Sequence, residues 1–159
     1  LLSYRSKNNL NKLKIKKKNL AIITKRKIKN SRQHFSMISF PETYQALLQA
    51  GIANDYSMGY GNYNGFRASY CMPYVWYDLD SEEETNLTIH PFCIVETTLK
   101  FTNKADVSTA MNYVKPIIDE VKKYQGELVT IIHNDTMGSV DEWKGWTTVY
   151  EDIIKMALI

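Results

Sequence analysis

The sequence lacks any apolar run near the ~20 residues that a membrane-spanning helix needs. Its first thirty residues hold no apolar core of the kind a secretory signal requires. These absences speak against a transmembrane protein and point to the cytoplasm. Only two cysteines are present, Cys71 and Cys93, too few for a disulfide framework or a zinc knuckle. Both sit in apolar surroundings, and two unpaired, partly buried thiols in a reducing compartment are expected. The three histidines, His34, His90 and His133, match the number a catalytic zinc uses, but no two stand at the short helical spacing of a metal motif. Gly59-x-Gly61 lacks the Lys-Ser/Thr and following helix of a phosphate loop. No internal repeat appears.

Acid is also missing from the start of the chain. Residues 1–30 carry eleven Lys and Arg and no Asp or Glu. The remainder holds nine bases against seventeen acids, a net charge of −8. A basic arm on an acidic body suggests nucleic acid or an anionic surface. No aromatic side chain interleaves with the lysines, as single-strand binders require, so nucleic acid is disfavoured as a partner. The alternative is a solvated helix face, with Leu10, Leu13, Leu20 and Ile23 on one stripe.

What is there reads as alternating helix and strand. The pattern predicts a helix over 8–24, started by Asn8-Asn9, and a short strand over 28–31. A helix over 42–50 opens on Pro41 and ends at Gly51. Short extended segments follow at 52–56, 66–69 and 74–77, with a glycine loop between the first two. Residues 81–86 read as an acidic surface turn, and 87–99 as a strand broken near Pro91. The strongest helix spans 106–124, with Pro116 as an irregularity and Gly126 as its close. Leu128-Val129-Thr130-Ile131-Ile132 is a continuous apolar run, the pattern of a strand buried on both faces. A last helix spans 141–158 with Trp143, Trp146, Val149, Ile153 and Met156 inward. The class is α/β. The 159 residues suit a single domain, with residues 1–30 as a basic, helical segment within it.

Polar islands punctuate these elements. His133 follows the apolar run directly. An imidazole there can hand a proton to a leaving group near neutral pH, with Asp135 placed to hold the ring; a histidine that merely caps the strand is the alternative. Arg32 and His34 alternate with Gln33, so in an extended chain they face one way. A guanidinium there could orient a carboxylate base or bind a substrate oxygen, or pair with an acid for structure. Asp55 and Arg67 flank the glycine loop and could pair across it. Tyr60, Tyr63, Phe66, Tyr70, Tyr74, Trp76 and Tyr77 crowd this stretch. Aromatic faces stack on sugar rings; they also fill cores.

The islands together resemble a known family. They are Ser31-Arg32-Gln33-His34-Phe35, Phe40-Pro41-Glu42-Thr43-Tyr44, Gly51-Ile52, Asp55-Tyr56-Ser57-Met58-Gly59-Tyr60, Gly65-Phe66-Arg67-Ala68, Tyr77-Asp78-Leu79, Pro91-Phe92 and Glu142-Trp143-Lys144-Gly145-Trp146. This order is similar to the C-terminal half of the polysaccharide deacetylase family (the NodB-homology domain), nearest its long Bacteroidetes-type members. The likeness extends over nearly the whole chain.

The resemblance implies part of a distorted (β/α) barrel with an N-terminal basic helix. It implies hydrolytic removal of acetyl groups from a carbohydrate by a metal-activated water. Arg32 matches the arginine that supports the base, and His133 matches the general acid. Asp55 and Arg67 fall where the family places further polar support; His34, Tyr60, Trp76 and Asp135 are the other candidates for support or substrate binding. The aspartates of the family's first motif are absent, and Leu1 stands where a metal histidine is expected. A zinc-type divalent metal is therefore expected in a complete domain and not in this chain alone. The chain, which opens on Leu rather than Met, reads as a truncated or decayed copy or one part of a split gene. On this reading it is inactive without an upstream half. A non-catalytic carbohydrate-binding remnant is the alternative, with a nucleic-acid-binding protein using the basic N-terminal arm after it.

Overall fold

The computed structural model describes residues 9–138 and 141–158. The first helix, α1, spans Leu10–Thr24. Asn9 starts it: its side-chain carbonyl accepts the Lys12 backbone N–H at 2.9 Å, satisfying a donor that a helix start leaves open. Only Leu13 on this helix is fully buried. Leu20 and Ile23, expected on the same stripe, are exposed. The helix stops at Lys25, whose φ of 54° is left-handed, a conformation that favours glycine.

Residues up to Met58 together with Pro73–His90 make one compact unit. Its strands are β1 (Asn30–Ser31), β2 (Asn54–Asp55), β3 (Tyr74–Asp78) and β4 (Glu83–Ile89), in sheet order β1-β2-β4-β3. The first three in that order run parallel, and β3 pairs antiparallel with β4. A helix, α2 (Glu42–Gln49), carries the chain from β1 to β2, as parallel neighbours require. Tyr44 and Leu47 of α2 are fully buried beside Leu13, Ile52, Leu87 and Ile89. Lys17 of α1 donates from Nζ to the carbonyls of Ala50 (2.6 Å) and Gly51 (2.9 Å). That places a cation on the carbonyl end of α2, where the helix dipole is negative.

The expected acidic turn at 81–86 is shorter than the charge pattern suggests. Glu83 and Glu84 already belong to β4, opposite Asp78 and Tyr77. Glutamate is a poor strand former, but both side chains stay exposed, so pairing with β3 decides the conformation. Further along β4, Leu87 and Ile89 turn inward at the period of two.

Gly59–Met72 and the chain from Pro91 onward make the second unit. Its strands β5 (Ile94–Val95) and β6 (Thr130–Ile131) are parallel, with Ile94 opposite Thr130 and Val95 opposite Ile131. Of the run 128–132 only Ile131 is buried, because a two-stranded sheet covers less than the larger parallel sheet the pattern suggests. The helix α3 (Ala110–Lys123) lies between β5 and β6 in the chain and continues through Pro116. The proline is exposed, so its ring meets solvent rather than packing. Val114, Ile118 and Val121 form the inward stripe, as the helical period predicts. The final helix, α4 (Trp146–Leu158), buries Trp146, Val149 and Ile153 against the same core. Cys93 belongs to that core and is unpaired; burial pushes its thiol up to about 12, so it stays protonated.

The fold is thus α/β, with short, mostly parallel strands between helices. Among the described residues neither sheet closes on itself, and no helix is long and apolar enough to cross a membrane.

Candidate active site

Parallel pairing decides where the site forms. β5 and β6 run side by side, so the residues that follow each strand leave the same end of the sheet. Glu96 follows β5 directly, and His133 comes two residues after β6. Glu96 is buried, 5 % exposed. Its Oε1 accepts the backbone N–H of His133 at 2.8 Å and meets the ring Nδ1 at 2.6 Å. An ionised carboxylate has no proton to give, so the proton on that contact belongs to Nδ1. The ring is thereby fixed in orientation and tautomer, leaving Nε2 as the nitrogen that exchanges a proton. The His133 side chain is 40 % exposed, so a substrate can reach it. The other carboxylate oxygen, Glu96 Oε2, is buried with no donor among the described residues. The known partners of this carboxylate are therefore both groups of His133.

A loop forms the next part of the surroundings. The Thr98 hydroxyl donates to the Gly61 carbonyl at 2.8 Å, and the Val95 N–H donates to Asn64 Oδ1 at 3.2 Å. The Gly65 N–H bonds the Cys93 carbonyl at 2.7 Å. These bonds hold residues 59–65 along β5 and the turn after it. Thr98 opens a π-helical turn, Thr98–Thr102, a rare conformation that recurs at functional sites. Tyr60 and Tyr63 are exposed on this loop, edge to face at 6.1 Å. Each flanks the Gly61–Asn64 anchorage, and both anchored partners lie within two residues of Glu96.

The other anticipated residues have different surroundings. In the first unit, Ser31 and Gln33 are buried while Arg32 and His34 take the half-buried side. The expected alternation thus holds up to His34, which opens a short 3-10 turn and lies 4.1 Å from the Phe35 ring. Asp55 ends β2 and is completely buried. Its oxygens accept the Ser57 hydroxyl at 2.8 Å and the Ser57 N–H at 2.9 Å. The same hydroxyl accepts the Gln33 N–H at 2.8 Å. Burial raises the Asp55 carboxyl to about 6, with the Ser57 hydrogen bonds, the neighbouring Ser31 hydroxyl and nearby His90 offsetting part of the rise. Trp76 packs edge-on against Tyr44, centroids 5.4 Å apart, beside the core. In the second unit, Arg67 is half-buried on the loop after the glycines. Asp135 is exposed and opens the short turn Asp135–Met137. The ring of His133 is held by Glu96 rather than Asp135: a parallel neighbour reaches the ring, whereas the turn carries Asp135 away to solvent.

Glu96 escaped the sequence reading because it stands inside an apolar, β-branched stretch. Its signal is that position: a lone acid directly after an apolar run, as His133 is a lone histidine after another. Among the described residues no group of three His, Cys, Asp or Glu gathers. His90 Nε2 is instead 3.1 Å from Asn54 Oδ1, and its ring stacks on Tyr56 at 4.4 Å. The motif at residues 1–6 lies outside the described residues. No protein-family model, no curated protein and no solved structure matches the chain.

Proposed function

We propose that this chain carries the proton-donating part of a carbohydrate deacetylase-like site. The observation that supports this most is the 2.6 Å contact between His133 Nδ1 and a buried carboxylate at the carboxyl end of two parallel strands. Water adds to the acetyl carbonyl carbon, the carbon–nitrogen bond then breaks, and the sugar amine needs a proton as it leaves. His133, carrying a second proton taken up from solvent, gives that proton from Nε2 and returns to its neutral, Nδ1-protonated form. Glu96 keeps the ring oriented and stabilises it while positive. Tyr60 and Tyr63 offer exposed aromatic faces for a sugar ring on the loop anchored to Val95 and Thr98, which flank Glu96.

The resemblance supplies the rest of the proposal. It includes a (β/α) barrel of which these sheets are part, Arg32 as support for a base, and acetylated carbohydrate as substrate. A divalent metal bound elsewhere in the complete domain would activate the water. In the family pattern its ligands and the base would come from residues upstream of the matched half, and on that reading this chain alone does not turn over substrate. Acetate release from acetylated chito-oligosaccharides, by the chain joined to such a half and by its His133→Ala variant, tests the reading.

A further inference from the structure

The first helix has an outward side that the proposed chemistry does not use. Leu13 faces the core, and Ile15 lies about 200° around the helix from it. Ile15 and Ile22 are seven residues apart and so share this outer face. They are 58 % and 65 % exposed, and Ile23 is 78 % exposed. Lys18 stands one turn from each of the first two, with Lys14 beside it, and both lysines are exposed. Just past the helix come Lys25, Arg26 and Lys27, also exposed. Residues 9–30 contain no acid and no aromatic side chain.

We propose that α1 docks on an anionic lipid surface. Aliphatic side chains ringed by lysines match the boundary between acyl chains and charged headgroups. There the isoleucines leave water and the lysines remain hydrated among anions. A protein partner is a poorer match, since contact cores exclude lysine and favour aromatic side chains, methionine and arginine. Nucleic acid is a poorer match too. It would use the lysines, but it offers nothing to three exposed isoleucines, and there is no aromatic ring to stack on its bases. Charge complementarity draws the helix to the surface, and the exposed isoleucines hold it there.

The test is sedimentation of the full chain with vesicles, either phosphatidylcholine alone or phosphatidylcholine with a third phosphatidylglycerol. Binding is expected to the anionic vesicles and to weaken with added salt. Lys14→Gln and Lys18→Gln should each weaken it about fivefold. Ile15→Ser and Ile22→Ser together should weaken it on the order of a hundredfold. Neither pair touches the core, and circular dichroism checks that each variant keeps its helix content. The idea is overturned if the parent chain ignores the anionic vesicles. It is equally overturned if the isoleucine variant binds them as well as the parent, or if single-stranded DNA binds the parent more tightly than the vesicles do.

Discussion

Glu96 and His133 belong to segments far apart in the chain, yet one carboxylate oxygen of Glu96 meets both the backbone N–H and the ring Nδ1 of His133. The buried acid leaves the ring one proton placement. The neutral imidazole should therefore carry its proton on Nδ1, visible in long-range proton–nitrogen correlation spectra. Glu96→Ala should release that preference, letting the Nε2-protonated form grow. It should also cost roughly 1–3 kcal/mol in urea unfolding, because the His133 N–H groups lose their acceptor. A parent spectrum dominated by the Nε2-protonated form would contradict the geometry.

Asp55 makes stability depend on pH in the opposite sense to a salt-bridged carboxylate. Its folded value of about 6 lies above the ordinary 3.8. Between those values the folded protein holds a proton that the unfolded chain has released. The contribution is therefore complete below pH 3.8 and is lost as pH rises through 6, by about 3 kcal/mol over the window. Comparing urea unfolding of the parent and Asp55→Asn at several pH values isolates this share. The difference in stability between parent and variant should shift against the parent between pH 4 and 6 and flatten above. A difference that stays level across the window would contradict it.

Two glycines in one loop differ in the room each leaves for a side chain. A Cβ at Gly59 would stand 2.5 Å from atoms of the buried Phe92 ring, whereas a Cβ at Gly61 meets nothing within 4 Å. Gly59→Ala should thus lower stability by about 1–3 kcal/mol, and Gly61→Ala should leave it nearly unchanged. Thermal or urea unfolding of the two variants distinguishes them; equal effects would place the loop differently.

Local signals made much of this fold legible in the sequence. Asn9 as a cap, the α3 stripe ending in Val121, and Trp146 of the last helix follow from capping chemistry and the helical period, whereas Trp143, expected on that helix, lies in a short 3-10 turn before it. Strand pairing was not legible. Which segments become neighbours depends on contacts distant in sequence, so Glu83 and Glu84 read as a turn until β3 is known to lie beside them. The same limit hid Glu96. Its meaning comes from His133 beyond β6, 37 residues further on, while Asp135 lies close in sequence to His133. Arg32 and His34 kept the alternation expected of an extended chain, because Ser31 and Gln33, on either side of Arg32, are buried. Trp76, one of the aromatics grouped near the glycine loop by sequence, meets the Tyr44 ring in an edge-to-face contact.

The central claim is that His133 protonates the departing amine. The most direct measurement is turnover of an acetylated chito-oligosaccharide by the chain joined to an upstream half that supplies the aspartates and metal histidine. His133→Ala should lower kcat by about 10²–10⁴-fold and leave KM little changed, because the ring acts on the leaving group rather than on binding. An active joined enzyme whose turnover is unaltered by His133→Ala would contradict the account.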